Sequence, residues 1–89
     1  MDFEWDPEKA RSNLAKHGVR FDEAKAVFID PAAITLSENH PEEQRFVALG
    51  MDRVGRVLVV AYMWRADRIR MISARKATPR ERRVYEEGI

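Results

Sequence analysis

Two cations and a helix start lie close together near the carboxyl end of the sequence. Arg75 and Lys76 are followed by residues 78–81 (TPRE), in which threonine and glutamate have the spacing of a capping box and proline takes the first helical position. The unpaired N–H groups at a helix start attract anions, and the helix dipole adds to that attraction. The segment could therefore bind a phosphate, although an arginine-rich surface facing solvent would have the same composition.

The other residue types narrow the chemistry that such a site could perform. The chain contains no cysteine, its two histidines do not form an H-x-x-x-H pair, and no glycine-rich phosphate loop or G-x-S-x-G motif occurs. Catalysis would therefore use side-chain acids, bases and cations without a cofactor or a metal. RNA cleavage suits these groups, because the 2′-hydroxyl is the nucleophile and the protein need supply only a base, an acid and cations around the phosphate.

Six residues are candidates for this chemistry. Cations near the helix start could stabilise the charged transition state, and the acids and bases around them could transfer protons. The candidates are Arg75, Lys76, Arg80, Glu81, Tyr85 and His17. Tyr85 could equally belong to the core, as tyrosines on short helices commonly do. His17 could equally cap the end of its helix or pack in the core.

A second group of basic residues precedes the first. Residues 65–83 hold eight lysines or arginines against two acidic residues. Arginine suits bidentate contacts with phosphate and stacking on bases, and an exposed tryptophan could stack on a base as well. The candidates for substrate binding are Arg65, Arg68, Arg70 and Trp64. Some of these arginines could instead be solvated or ion-paired, and the tryptophan could pack on its own sheet.

Composition and charge indicate one small domain with an uneven surface. We expect residues 1–89 to form a single domain, because a chain of 89 residues can bury one hydrophobic core. The formal charge is −4 over residues 1–45 and +5 over residues 46–89. A basic half of this kind indicates a nucleic-acid partner, although it could also bind an acidic protein. Neither a signal peptide nor a membrane-spanning run is present, so we expect a cytoplasmic protein.

Hydrophobic periodicity and turn signals predict the order β-α-α-β-β-β-β-α. The first helix should begin at Pro7, after the cap Asp6, and should end at Gly18. The predicted second helix covers residues 21–28, and the third begins at Pro79. The predicted strands are residues 3–5, 33–36, 45–50, 56–63 and 68–73, with a polar loop at 37–43 and a basic loop at 73–77. We therefore expect an α+β fold with a mainly antiparallel sheet and helices on one of its faces.

The sequence resembles the BrnT toxin family over nearly its whole length. The resemblance begins with residues 3–6 (FEWD), Asn13, residues 16–18 (KHG), Phe21, residues 23–24 (EA), residues 27–28 (VF) and residues 30–31 (DP). It continues with residues 44–46 (QRF), residues 55–58 (GRVL), Arg65, residues 72–77 (ISARKA), residues 81–82 (ER) and residues 85–87 (YEE). The closing segment is the most specific part. Met71 departs from the isoleucine common at its position, a volume-conserving change.

The resemblance implies a RelE-like fold and a ribonuclease toxin of a type II toxin–antitoxin system that inhibits translation. Together with the residue types above, it leads us to expect that the protein cleaves RNA without a metal or cofactor. It also implies a BrnA-like ribbon-helix-helix antitoxin as partner, with DNA reached only through that antitoxin. The active surface of RelE-like toxins corresponds in this sequence to Arg75, Lys76, Arg80, Glu81 and Tyr85. The residues alone leave two alternatives, a non-catalytic RNA-binding module and a protein-interaction module of a regulatory complex.

Overall fold

A five-stranded sheet and three α-helices make up the part of this protein, residues 1–38 and 43–88, that the computed structural model describes. In chain order the elements are β1 (Asp2–Glu4), α1 (Pro7–His17), α2 (Phe21–Ala24), a 3₁₀ helix (Lys25–Ile29), β2 (Ile34–Glu38), β3 (Arg45–Met51), β4 (Val57–Arg65), β5 (Arg68–Lys76) and α3 (Pro79–Glu87). The predicted α+β class and the predicted order of elements are confirmed.

The first helix begins and ends at the residues that its sequence signals predict. The side chain of Asp6 accepts the N–H of Glu8 at 2.9 Å, and Pro7 is the first helical residue. Gly18 follows the helix with φ of 70°, and its N–H donates to the carbonyl oxygen of Leu14 at 2.8 Å. Glycine suits this left-handed conformation because it has no Cβ. Both predicted ends of α1 are confirmed.

The strands lie in the order β1-β5-β4-β3-β2. Strands β2 to β5 pair with one another in antiparallel orientation, in agreement with the mainly antiparallel sheet that the sequence predicts. Strand β1 pairs in parallel with β5, so that Glu4 lies opposite Arg70. The amino-terminal strand therefore brings an acidic side chain to the basic strand.

The hydrophobic core lies between the sheet and the amino-terminal helices. Leu58, Val60 and Tyr62, which alternate along β4, are at most 5% exposed. They pack in one cluster with Ile69, Met71 and Ala74 of β5 and with Val19, Phe21, Ala24 and Val27 from the helical layer. A Cβ placed on Gly50 would lie 2.8 Å from Cγ1 of Val27. Only glycine at this position lets the 3₁₀ helix pack so closely on β3.

Strand β5 is longer than the sequence predicts. The predicted basic loop at residues 73–77 is strand as far as Lys76, because Arg75 pairs with Val59 and Lys76 pairs with Leu58. The apolar strand β4 offers pairing partners along its full length. A strand can continue through charged residues when one face of its sheet is exposed to solvent.

Several other element boundaries also differ from the prediction; strand β4, for example, covers Val57–Arg65 instead of residues 56–63. Strand β2 covers Ile34–Glu38 instead of residues 33–36, because Glu38 still pairs with Arg45 of β3. The second helix is α-helical for four residues only and continues as the 3₁₀ helix. Of the predicted polar loop at residues 37–43, residues 39–42 lie outside the described residues.

No helix within residues 1–38 and 43–88 is both long and apolar enough to span a lipid bilayer.

Candidate active site on the open face of the sheet

The sheet face opposite α1 and α2 carries an apolar centre that these helices leave uncovered. Side chains alternate between the two faces along each strand, so the residues between the core positions point to this side. We call this surface the open face. It is formed by Ile34, Leu36 and Glu38 of β2, Arg45, Val47 and Leu49 of β3, Val59, Ala61, Met63 and Arg65 of β4, and Arg68, Arg70, Ser73 and Arg75 of β5. Leu36 is 63% exposed, so apolar surface here meets solvent.

A cleft of about 380 Å³ lies where the open face meets the start of α3. Its floor is apolar, and two carboxylates, a hydroxyl and a guanidinium stand at its sides. The lining residues are Leu36, Glu38, Val47, Val59, Ala61, Ser73, Arg75 and Glu81. Two of the six residues predicted to be catalytic, Arg75 and Glu81, therefore line one cleft.

Arg75 and Glu81 form a bidentate ion pair in this cleft. Nη1 of Arg75 donates to Oε1 of Glu81 at 2.8 Å, and Nη2 donates to Oε2 at 2.9 Å. Nη1 also donates to the carbonyl oxygen of Lys76 at 3.3 Å. A guanidinium has five N–H donors, and within the described part of the chain these three bonds leave two donors for a ligand. The pair fixes the plane of the guanidinium.

The carboxylate of Glu81 also caps the helix that carries it. Oε1 accepts the N–H of Thr78 at 2.8 Å, while Oγ1 of Thr78 accepts the N–H of Glu81 at 3.2 Å. The predicted capping box is therefore confirmed. The hydrogen bonds from Arg75 and from the Thr78 N–H, with the charge of Arg75, lower the pKa of Glu81 to about 2. The same pairing raises the pKa of Arg75, so both groups are charged at neutral pH.

Lys76 and Arg80 do not join this pair in the cleft. Lys76 is the next strand residue after Arg75, so its side chain points to the other face of the sheet. Arg80 is exposed in the first turn of α3 and is not among the lining residues. The length of β5 thus places Lys76 on the opposite face from Arg75, and neither Lys76 nor Arg80 lines the cleft.

Tyr85 anchors α3 to the rest of the fold. Its hydroxyl donates to Oδ2 of Asp30 at 2.6 Å, and the same oxygen accepts the N–H of Met51 at 2.9 Å. The hydrogen bond to Asp30, together with burial and the charge of Asp30, raises the pKa of Tyr85 to about 12. The phenol is therefore protonated at neutral pH, and its proton is directed at Asp30 instead of the cleft.

His17 and Trp64 also lie outside the cleft. His17 is the half-buried last residue of α1. Trp64 is 48% exposed and pairs with the core residue Ile69, so alternation places its side chain opposite that of Arg65. Trp64 and Arg65 therefore do not form a shared binding surface for an RNA base.

The other three predicted binding residues surround a single carboxylate. Glu4 lies 2.9 Å from Nη1 of Arg70, 3.6 Å from Nη1 of Arg65 and 3.8 Å from Nη1 of Arg68. The hydrogen bond from Arg70 is the main cause of the lowered pKa of Glu4. We call these four residues the arginine cluster. Within this cluster, three guanidinium groups share one carboxylate.

A larger cleft, of about 590 Å³, lies beside α2 and the 3₁₀ helix and is a weaker candidate. Its carboxylates already have basic partners, since Asp22 pairs with Lys25 and both Glu23 and Asp52 pair with Arg56. None of the predicted site residues lines it. Among residues 1–38 and 43–88, no group of three histidine or acidic side chains is arranged to hold a metal ion.

Sequence reasoning missed several polar residues at the site. Glu38 was assigned to the polar loop and Ser73 to the junction of a strand with the basic loop, because both strands were predicted to be too short. Glu4 and Asp30 were missed as partners because they are distant in sequence, 66 positions from Arg70 and 55 from Tyr85. The only available signal was charge, since an acidic residue in a strand beside a basic one forms favourable cross-strand pairs.

Comparison with known proteins agrees with this fold. The crystal structure of the Brucella abortus ribonuclease toxin, BrnT, determined at 1.1 Å resolution, superposes with a TM-score of 0.69. The two sequences are 23% identical, and the match covers 88% of this chain and 97% of that one. A search of curated proteins finds no match. The class defined by this fold is thus a small α+β protein with the architecture of a ribonuclease toxin.

Residues 5–81 match the family model described as the ribonuclease toxin, BrnT, of type II toxin–antitoxin systems. The match covers most of the chain, and the protein belongs to this family. The resemblance inferred from the sequence is therefore confirmed.

Proposed function

We propose that this protein is a metal-independent endoribonuclease whose active site is the cleft between the open face and α3. The observation that carries the proposal is the bidentate pair of Arg75 and Glu81 in that cleft. The guanidinium is fixed in orientation, and the bonds within residues 1–38 and 43–88 leave two of its donors for a ligand. Membership of a family of ribonuclease toxins supports the same assignment.

The proposed reaction is attack by a ribose 2′-hydroxyl on the adjacent phosphodiester. A base takes the proton of the 2′-hydroxyl, the new P–O bond gives a 2′,3′-cyclic phosphate, and the 5′-oxygen leaves with a proton from an acid. Arg75 stabilises the negative charge on the non-bridging phosphate oxygens as it develops. Glu81 stays ionised because its pKa is about 2, so its part is to hold Arg75.

For the proton transfer we propose Glu38. Its carboxylate lines the cleft together with Arg75 and Ser73, and it is exposed to solvent. A carboxylate within reach of the 2′-hydroxyl can serve as the general base. Tyr85 and His17, both predicted for this role, lie outside the cleft. Lys76 and Arg80 contribute through their long-range attraction for the RNA.

The arginine cluster extends the proposed RNA site along β5. Arg70 and Arg75 are five residues apart, which corresponds to about 16 Å along a strand. Both point to the open face, so an RNA strand that places its scissile phosphate at Arg75 can contact the cluster with a phosphate two or more nucleotides away. Arg65, Arg68 and Arg70 are thus proposed as binding residues.

The wider assignment follows from the family and is also a proposal. A type II system supplies a protein antitoxin as partner, and we propose that it is a BrnA-like ribbon-helix-helix protein that alone contacts DNA. We further propose that RNA cleavage inhibits translation and that the protein acts in the cytoplasm, where its RNA substrates are.

The test is to map new RNA ends after incubation of single-stranded RNA with the purified protein in EDTA. The parent should produce ends with cyclic phosphate, and Arg75→Ala should cleave about a hundredfold more slowly. Arg53→Ala removes one exposed arginine outside the cleft and should leave the rate unchanged. Cleavage by Arg75→Ala at the parental rate would contradict the site.

The same experiment separates the alternatives. RNA that is bound without new ends would indicate a non-catalytic RNA-binding module. A parent that neither binds nor cleaves RNA, yet binds its antitoxin, would indicate a protein-interaction module. Activity that EDTA removes would contradict metal independence and leave the ribonuclease assignment intact.

A further inference from the structure

Asn13 occupies a place at the sheet edge that a neighbouring strand would otherwise fill. Its side chain, on a residue 6% exposed, reaches from α1 to the outer edge of β5. Nδ2 donates to the carbonyl oxygen of Ala74 at 2.8 Å, and Oδ1 accepts the N–H of Ala74 at 3.0 Å. Nδ2 also donates to the carbonyl oxygen of Val19 at 3.0 Å. One side-chain amide thus makes with Ala74 the two bonds that a paired strand residue would make.

In the described part of the chain, no other strand pairs with this edge at Ala74. Strand β1 pairs with residues 68–70 of β5 and does not reach Ala74. The buried N–H and C=O of Ala74 would have no partner on this side without Asn13, and buried backbone groups in folded proteins are nearly always paired. The amide therefore fixes the extended conformation of the strand at Ala74.

The register of β5 is irregular just before this point. Met71 pairs with Tyr62 but Ser73 pairs with Ala61, which leaves Ile72 as an extra residue. A slip of one residue would turn every following side chain to the other face. Such a slip would exchange Arg75 for Lys76 on the open face.

We propose that Asn13 is a positioning residue for Arg75. By bonding both backbone groups of Ala74, it fixes the register of β5 after the extra residue and so directs the Arg75 guanidinium to Glu81. A long-range bond between α1 and β5 thereby controls the orientation of one side chain in the cleft. The positioning of Arg75 is independent of the reaction, whereas the expected effect on cleavage rests on the proposed function.

The test compares Asn13→Ala and Asn13→Asp with the parent by NMR of the arginine Nη–Hη groups, which make the bidentate pair in Arg75. The Arg75 signal is assigned from its absence in Arg75→Lys. In the parent, the bidentate pair should give a sharp, displaced Arg75 signal. Both Asn13 variants should broaden that signal or return it to the position of a solvated arginine, since alanine lacks the amide and an ionised aspartate cannot donate to Ala74.

The matched control is Phe46→Leu, on β3. In the parent the ring of Phe46 stacks on the ring of Tyr62, and the two ring centroids are 5.6 Å apart. All spectra are recorded at a temperature at which circular dichroism shows each variant to be folded. The control should leave the Arg75 signal unchanged. An unchanged signal in Asn13→Ala, or an equal change in Phe46→Leu, would overturn the proposal.

Cleavage rates give a second measurement. Asn13→Ala should cleave RNA at least tenfold more slowly than the parent at saturating RNA, with its affinity for RNA unchanged, because a misplaced catalytic group lowers the rate of the chemical step. A parent without ribonuclease activity would contradict the proposed function, and the NMR comparison would still decide the role of Asn13.

If neither Asn13 variant folds, hydrogen exchange in the parent decides. The N–H of Ala74 should exchange with solvent as slowly as the amides inside the antiparallel ladder. Exchange at the rate of an open strand edge would show that Asn13 does not hold Ala74, and would overturn the proposal.

Discussion

Arg70 and Arg75 point to the same face of β5, although residues five positions apart should point to opposite faces of a regular strand. The pairing with β4 passes from Met71 to Ser73 and leaves Ile72 as an extra residue. This β-bulge shifts the alternation of side chains between the two faces by one residue in the second half of the strand. The arginine cluster and Arg75 therefore share the open face.

Because the bulge places Arg75 in the cleft and Lys76 on the other face, replacing each with alanine should have very different effects on RNA cleavage. Arg75→Ala should lower the rate of RNA cleavage about a hundredfold, because Arg75 lines the cleft. Lys76→Ala should change the rate less than threefold, because its side chain points to the other face. Single-turnover rates on one RNA, with both variants checked for folding by circular dichroism, provide the comparison. An equal loss in Lys76→Ala would place the reaction elsewhere.

The pKa of Glu81 predicts a dependence of stability on pH. Its value is about 2 in the folded protein and 4.5 without interactions. Because the folded value is the lower one, the ionised carboxylate stabilises the fold fully above pH 4.5, and this stabilisation is lost as the pH falls from 4.5 towards 2. Solvent screening of this part-exposed pair reduces the effect to about 1 kcal/mol.

Glu81→Gln should therefore unfold more easily at pH 7 and should show less change in its free energy of unfolding between pH 4.5 and 2 than the parent. Urea titrations across this range measure both effects. Glu86→Gln, an exposed substitution on the same helix, is the control and should follow the parent. A Glu81→Gln profile parallel to that of the parent would show that the pair contributes nothing.

Tyr85→Phe distinguishes an anchor from a proton donor. Loss of the bond to Asp30, 2.6 Å long in the parent, should lower the free energy of unfolding by about 1 kcal/mol. The folded pKa of Tyr85 is about 12 against an ordinary 10, so the bond stabilises the fold below pH 10 and is lost as the pH rises through 12. Tyr85→Phe should lack this alkaline change.

The cleavage rate of Tyr85→Phe, measured well below the melting temperature, should remain within about threefold of the parental rate. A hundredfold loss in a folded Tyr85→Phe protein would instead assign the phenol to the chemical step.

Glu4→Gln should strengthen RNA binding. The substitution removes the only carboxylate of the arginine cluster and leaves Arg65, Arg68 and Arg70 to bind phosphate. We expect the Kd for single-stranded RNA to fall several-fold at low salt, with a steeper dependence on salt concentration. Glu8→Gln makes the same change in net charge at an exposed position on α1. Equal tightening in both variants would show that net charge alone is responsible.

Local signals in the sequence were sufficient to predict both ends of α1 and the start of α3. The cap at Asp6, the stop at Gly18 and the box of Thr78 and Glu81 each involve residues within a few positions of one another. The order of elements followed from periodicity for the same reason. These features depend on interactions between residues that are close in sequence, so a local sequence pattern is enough to predict them.

The arrangement of the site depended on contacts that no local pattern encodes. The face on which Arg75 lies is set by a bulge, and the sequence around Ile72 reads equally well as the end of a strand. The bonds of Asn13 to Ala74 and of Tyr85 to Asp30 span 61 and 55 positions. Such pairs become visible only when the topology is known, which is why Arg75 and Glu81 were predicted together but their surroundings were not.

Because the carboxylate of Glu81 caps α3 and also bonds Arg75, formation of that helix and orientation of the Arg75 guanidinium are a single event. Helix α3 has no fully buried residue to keep it formed by itself. A chain cut by a protease before residue 81 would therefore carry Arg75 without the carboxylate that orients its guanidinium. The order of this strand residue depends on a helix that follows it in the chain.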